Sequence, residues 1–385
     1  MGKNKRRKKK KEKRLRLILF SSIFVLISGS IFYIVSGDKK DESLLVSGNE
    51  IEKEDKLKEE KVVKKEEIII TAAGDCTLGT DTNFNYSSSL NAEVANSGND
   101  YGTLMKNVKE IFEKDDYTIV NLETTFTESN EKLNKGEGIT FNFKGPKEFV
   151  NILKEGNIEG VTISNNHIYD YGQKGFTDTV NTLKEANVDF CGEGYKILKE
   201  IKGIKGIKVA FLGYQGWMET EELKSKIKAD IEEMRDKGAL LVIPYFHWGI
   251  ERANKPYDVQ VNLAKFSIDN GADMVLGSHP HVMQSIENYK GKMIVYSLGN
   301  FSFGGNSNPV DKRTFMVQMK FKFEDNKNVG AEYRIIPASI SSVKNRNDYR
   351  PTPSKGEEKK AILKELNNLS ETLNGKISDE FFTLK

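Results

Sequence analysis

Cysteine is almost absent from this chain of 385 residues: two residues, Cys76 and Cys191, allow one bridge at most and exclude a disulfide-built scaffold. Histidine is equally scarce, with four residues in all. A basic folded part is also missing. The formal net charge is +3, but residues 1–16 hold eleven Lys/Arg against one Glu, which leaves about −7 for everything after them. Nucleic-acid binding needs a basic face on the domain itself, so that class of function is excluded. No internal repeat is present. A length of 385 residues still allows one large or two small domains with ample core.

What the chain does have begins at its N-terminus. Directly after the basic block 1–16 comes an uncharged, mostly apolar run from Leu17 to Val35. As a helix it would reach about 28 Å, close to the thickness of a bilayer's hydrocarbon core. The Lys/Arg block ahead of it is expected to stay cytoplasmic, which sends the rest of the chain across the membrane. No small-x-small cleavage site follows Val35, so an uncleaved, single-pass signal anchor is expected rather than a signal peptide. The main domain would then be extracellular. Residues 36–66 are mostly Lys, Glu and Asp; they cannot bury a core and read as a solvated stalk.

The texture changes at Glu67. Short β-branched runs such as Ile68-Ile-Ile-Thr-Ala-Ala73, Tyr117-Thr-Ile-Val120, Gly160-Val-Thr-Ile163, Lys208-Val-Ala-Phe-Leu212, Leu240-Leu-Val-Ile243 and Met274-Val-Leu276 read as buried strands. Between them lie stripes at helical spacing, including Phe176/Val180/Leu183 and Leu223/Ile227/Ile231/Met234. This alternation predicts βαβ units and a largely parallel sheet in a domain spanning 67–345. Met293–Tyr296, Thr314–Phe323 and Ala331–Ile336 have no helical stripe between them and predict antiparallel closure of a second sheet. Residues 346–385 are a polar tail, in which Ala361, Leu363, Leu366 and Leu369 mark a packing helix.

Ligands of open α/β sheets gather at the carboxyl ends of strands. Here those ends read Gly74-Asp75-Cys76, Asn121-Leu122-Glu123, Ser164-Asn-Asn-His167, His247-Trp-Gly-Ile-Glu251 and Gly277-Ser-His279-Pro-His281. All four histidines fall at such positions. A lone Gly-Asp is usually a turn, a lone Asn-Asn-His a loop, and a lone His beside Trp248 a core residue. The joint placement favours a metal site with oxygen and imidazole donors, suited to Mn, Fe or Zn. His279 and His281, two apart on a strand, would share one side.

Taken together, Gly74-Asp75, Asn121-Leu-Glu123, Asn165-Asn-His167 with Asp170-Tyr-Gly172, His247-Trp-Gly249, Gly277-Ser-His279-Pro-His281 and Ser297-Leu-Gly-Asn-Phe301 resemble the CapA (PgsA) family. That family is linked to poly-γ-glutamate capsule synthesis and belongs to the calcineurin-like metallophosphatase superfamily. The resemblance covers about residues 67–340. It implies a four-layer α-β-β-α sandwich with a metal centre between the sheet edges. Carried over by position, Asp75 and His281 would hold one metal and Asn166, His247 and His279 the other, with Glu123 bridging. His167 would protonate a leaving group and Asp170 would orient it; Glu251 and Asn300 would stand behind the ligands. One departure from the metallophosphatase pattern is Thr77, which stands where a ligand histidine is usual. Cys76 cannot replace it, because adjacent strand residues face opposite ways.

Three functions follow as expectations. The first is an outward-facing, membrane-anchored component of poly-γ-glutamate synthesis or export, partnered by the anionic polymer or by other capsule-synthesis membrane proteins. The second is a surface metal-dependent hydrolase of phosphoester or amide bonds in an envelope polymer. The third is a non-catalytic polymer-binding scaffold with a vestigial metal site.

Overall fold

The structure is a computed structural model that describes residues 64–201 and 207–384. The basic block, the 17–35 segment expected to span a membrane, and the stalk up to residue 63 lie outside the described residues. Among the described residues, no helix is long and apolar enough to cross a membrane.

In chain order the strands begin with β1 (Lys65–Thr77), β2 (Thr80–Asp81), β3 (Tyr117–Leu122), β4 (Thr125–Phe126), β5 (Phe143–Gly145), β6 (Gly160–Thr162) and β7 (Asp189–Cys191). β8 (Lys196–Glu200), β9 (Lys208–Gly216), β10 (Leu241–Trp248), β11 (Met274–Ser278), β12 (Ile286–Tyr289) and β13 (Lys292–Val295) follow. The last are β14 (Asn300–Phe303), β15 (Arg313–Glu324), β16 (Lys327–Ser339) and β17 (Thr352–Pro353). One sheet has the order β17-β16-β15-β1-β3-β6-β7, with β14 also on β1; a second runs β12-β13-β11-β10-β9-β8. β2, β5 and β4 make a small third sheet.

The βαβ reading holds for the centre of both sheets. β1, β3, β6 and β7 pair in parallel, as do β9, β10, β11 and β13. Layering follows from which side chains each strand sends to which face. Ile68, Ile70 and Ala72 of β1 meet Phe211, Ile243, Tyr245 and Leu276 in a core between the sheets. Each such Ile or Leu contributes about 1.5–3 kcal/mol by burial, which exceeds any local conformational preference of its residue. Cys76, Val120 and Val161 face the other way, onto helices Val150–Glu155 and Gly172–Ala186. Ala210, Val242 and Val275 pack on helices Glu221–Asp236 and Asp258–Asp269. The layers are therefore helix, sheet, sheet, helix.

The antiparallel strands near the C-terminus depart from the sequence reading. Thr314–Phe323 and Ala331–Ile336 fall within β15 and β16, which close the first sheet rather than the second, through antiparallel pairing of β15 with β1. β1 offers a free edge beside an apolar inner face. β15 covers that edge and adds Phe315, Val317, Met319, Phe321 and Phe323 to the same core. Only β13, from the Met293–Tyr296 run, joins the second sheet, and it does so in parallel with β11. The helix near the C-terminus is Gly356–Leu369; it buries Ile362 and Leu366 against the inter-sheet core.

The amino ends of the parallel strands are held by acids. Asp116 Oδ2 accepts from Ile69 N (2.8 Å), Glu159 Oε2 from Thr118 N (2.8 Å) and Asp273 Oδ2 from Val242 N (2.9 Å). Asp115 joins this acidic edge. Its burial, with Glu159 and Asp116 close by, outweighs its hydrogen bonds and lifts its carboxyl from 3.8 to about 7. The folded protein thus binds that proton more tightly than the unfolded chain does, and the stability it confers at low pH is lost as pH rises from 3.8 through about 7. Asp115→Asn is therefore expected to raise Tm by a few degrees at pH 8, and by less at pH 5. Thermal melts at the two pH values test this; an equal or reversed difference refutes it.

Candidate metal centre

Strand register sets the first row of the site. In the parallel pairings of β1, Asp75 lies opposite Asn121 of β3 and opposite Asn300 of β14. The close packing of β14 requires Gly74: a Cβ there would lie 1.8 Å from Gly299 O. Asp75 N donates to that same carbonyl (3.0 Å), so the residue before the carboxylate must be glycine for the strand end to close.

The second sheet brings His247 at the end of β10, where it lies opposite Ser278 of β11. β11 stops there. His279 and His281 both have positive φ, 98° and 58°, a region where a non-glycine residue costs roughly 1–3 kcal/mol. The strand rule that would put them on one side does not apply; a left-handed turn aims them. That turn is held by His279 N donating to Asp75 Oδ2 (3.3 Å), Arg252 N donating to Pro280 O (2.7 Å) and Leu298 N donating to Gly277 O (3.0 Å). Trp217 packs edge-on against His279, ring centres 4.7 Å apart.

These elements converge on Glu123, just beyond β3. It is fully buried, and neither carboxylate oxygen has a hydrogen-bond partner among the described residues. Its Oε1 lies 3.4 Å from His247 Nε2, 4.0 Å from His281 Nε2 and 4.0 Å from His167 Nε2. His247 Nε2 is 2.7 Å from Asn166 Oδ1 and 3.1 Å from His279 Nδ1. His281 Nδ1 is 3.4 Å from Asp75 Oδ2 and 2.8 Å from Asn300 Oδ1. Asp75, Glu123, Asn166, His247, His279, His281 and Asn300 are thus gathered in one place. Glu251 is exposed at the rim, grouped with His279 and His281.

The electrostatics show what this cluster wants. Burial and the charge of Asp75 lift the Glu123 carboxyl to about 8. Burial pushes the imidazoles of His247 and His279 down, to about 3 and about 2. Burial opposes charge on His281 as well, but Glu123 and Asp75 outweigh it and hold that ring at about 10. For Asp75, burial is overcome by contacts with His281, which keep the carboxyl at about 2. Near neutral pH the Asp75 carboxylate thus faces the His281 imidazolium, Glu123 keeps its proton, and two neutral imidazoles offer lone pairs.

A divalent cation fits this donor set. Asp75, Glu123 and His281 can present ligand atoms within 4.8 Å of one another, as can Glu123, His247 and His279. Glu123 is common to both groups. The donors are oxygen and imidazole nitrogen, the set suited to Mn, Fe or Zn. Thiolate plays no part: Cys76 and Cys191 are free and buried, and burial pushes both thiols to about 12. Thr77 is buried, and its hydroxyl has no partner among the described residues.

His167 Nδ1 lies 2.7 Å from Asp170 Oδ2, which leaves Nε2 facing Glu123. Asp170 also accepts from Phe143 N (2.6 Å) and pairs with Lys135 Nζ (2.5 Å). No pattern in the sequence marks Lys135, whose loop is irregular. Asn121 is likewise not among the candidates drawn from sequence, although strand period two puts it on the side of Glu123. Asn121 Nδ2 donates to Asp75 Oδ1 (2.7 Å) and lies 3.2 Å from His247 Nδ1, while its Oδ1 accepts from Asn165 (3.1 Å). It ties the two sheets together beneath the centre.

The strand ends that build this cluster also fall within a known family's extent. Residues 69–305 match the family described as Bacterial capsule synthesis protein PGA_cap. The chain is 31% identical over 280 residues to Capsule biosynthesis protein CapA of Bacillus anthracis, covering 68% of this chain and 66%, just under two thirds, of that protein. It is 31% identical over 282 residues to PGA biosynthesis protein CapA of Bacillus subtilis, covering 69% and 71%. Among solved structures, a hypothetical protein from Thermus thermophilus aligns with TM-score 0.42 and 16% identity over 70% of this chain and 99% of that one. A novel phosphatase from Mycoplasma pneumoniae aligns with TM-score 0.42 and 14% identity over 71% and 95%. With a match that takes in Asp75, Glu123, His167, His247 and the two histidines after β11, the chain belongs to the PGA_cap family of bacterial capsule synthesis proteins.

Proposed function

We propose that this chain is a membrane-anchored, outward-facing component of capsule poly-γ-glutamate biosynthesis or export, working through a centre of one or two divalent ions (Mn, Fe or Zn) in a metallophosphatase-type fold. Family membership and the names of its Bacillus relatives support the process. The observation that carries the metal centre is Glu123, a fully buried carboxylate with no hydrogen bond, set among imidazoles. Burial keeps that group protonated, yet a buried polar group left without a hydrogen bond still costs about 1–3 kcal/mol, and a cation taking the place of the proton would remove that cost. Asp75, Glu123, Asn166, His247, His279 and His281 would hold it. The anchor rests on the basic block and the apolar run 17–35, and the partners would be the anionic polymer or other capsule-synthesis membrane proteins.

A second reading, hydrolysis of phosphoester or amide bonds in an envelope polymer, is favoured by the His167–Asp170 pair. A bound divalent ion would supply Lewis-acid polarisation of a phosphoryl or carbonyl oxygen. Asp170 accepts from His167 Nδ1–H and orients the ring; in the imidazolium form the second proton, on Nε2, would pass to the departing group, leaving the neutral ring with its Nδ1–H on Asp170. Phe143, whose ring centre is 4.5 Å from that of His167, limits water around the imidazole.

Elemental analysis of the purified full chain should find bound metal, cut several-fold in a His279→Ala/His281→Ala variant. Equal trace metal in both would sink the centre. With Mn²⁺ supplied, His167→Ala should slow turnover of a model phosphodiester or γ-glutamyl amide by about 10²–10⁴-fold while leaving metal content unchanged; wild-type protein without turnover excludes the hydrolase reading. Protease added outside intact cells should cut within residues 36–66, and protection there would reverse the orientation.

A further inference from the structure

Beside the histidine cluster lies a cavity of about 430 Å³, lined on the side of the cluster by His167, His281 and Asn300. Phe141, Phe143, Phe303 and Val310 give it an apolar wall, and the Phe303 ring packs near His281 with centres 5.0 Å apart. Arg252 is the one Lys or Arg among the cavity's lining residues.

Its backbone is held in place. Arg252 has φ +64°, donates its N–H to Pro280 O (2.7 Å) and sits in a turn closed by Ala253 N donating to Ile250 O (3.1 Å). Gln284 Nε2 braces the same loop by donating to Ala253 O (2.8 Å) and Lys255 O (3.1 Å). The loop that aims Arg252 is thus pinned to the segment carrying His279 and His281. Its guanidinium, by contrast, has no hydrogen-bond or ion-pair partner among the described residues. Every other arginine of the described residues has one: Arg235 with Asp273, Arg313 with Asp311, Arg334 with Gln318, Arg346 and Arg350 with Glu93. Arg252 is exposed at the cavity's edge, so its backbone is fixed while its fork of donors is free to meet an anion arriving from solvent beside the apolar wall.

We propose that Arg252 is a specificity-determining residue that takes the α-carboxylate of a γ-linked glutamyl unit, while the aromatic wall takes its two methylenes. This rests on the poly-γ-glutamate reading above. A carboxylate suits the site better than a phosphate. One guanidinium matches one carboxylate bidentately, the His281 imidazolium is already engaged by Asp75, and the other charged lining groups are acids: Glu251, and Asp311, already paired with Arg313.

The test is calorimetric titration of the full chain with a γ-glutamyl decamer, its α-carboxamide counterpart and a glycerol-phosphate oligomer of equal length, with bound metal measured in parallel. Arg252→Gln should weaken the decamer roughly tenfold to a hundredfold, the value of a charge-assisted pair. Arg252→Lys should recover part of that loss, because it keeps the charge without the fork. The carboxamide should bind wild type and variant alike, and metal content should not change. If wild type binds the decamer and Arg252→Gln binds it equally, the Arg252 assignment is overturned and the poly-γ-glutamate reading stands. If wild type binds neither decamer nor carboxamide, both fall. A variant that loses metal, or loses only the phosphate oligomer, overturns the carboxylate assignment.

Discussion

Glu123 sits where a carboxylate should be unstable: it is shut off from solvent, no donor pairs with its oxygens, and Asp75 adds a second negative charge to the same pocket. Burial and Asp75 hold its proton on, and the rest of the site is built around that group. His281 is held as an imidazolium by the two acids, yet His247 and His279 are kept neutral by the burial that makes Glu123 costly. One imidazolium balances one carboxylate only while Glu123 keeps its proton, so the cluster lacks the positive charge that would let both acids ionise. A divalent cation would supply that charge and use the lone pairs that the neutral rings offer.

The two sheets are what make this concentration of polar groups possible. Each sheet alone would leave its carboxyl-end residues in solvent. Packed face to face on the core of Ile68, Ile70, Ile243 and Tyr245, they bring the end of β10 over the ends of β1 and β3. Asn121 bridges the gap with contacts to Asp75 in its own sheet and His247 in the other. Strain at the cluster falls in the turn after β11, where two histidines adopt left-handed backbone conformations, and in the adjoining loop at Arg252. Helix ends and strand starts elsewhere use ordinary devices: Thr220 caps the Glu221–Asp236 helix by accepting from Leu223 N, and buried acids take the free N–H groups at the amino ends of strands.

Much of the fold was legible because its signals are local. Ile68-Ile-Ile, Leu241-Val-Ile and Met274-Val-Leu become central strands, and the 3.6-residue stripes become the helices that cover them. The assignment of β15 and β16 to a sheet was not legible. Alternating Phe315, Val317 and Met319 announces a strand with one buried face, but which free edge it joins depends on β1, at the far end of the domain's sequence. Lys135 was hidden for a related reason: it lies in an irregular loop with no periodicity, and only the folded chain brings it to Asp170.

The sequence by itself determined the chemistry on offer. It placed Asp75, Glu123 and all four histidines after apolar runs, and at the carboxyl ends of strands such residues have few other uses. The fold decided their geometry: that Glu123 would lie between the other donors with no partner of its own, that a positive-φ turn rather than strand alternation would aim His279 and His281, and that Arg252 would stand unpaired beside an apolar cavity wall. Distance, burial and unmet hydrogen-bonding capacity are properties of packed surfaces. They exist only once residues far apart in the chain are pressed together and water is excluded between them.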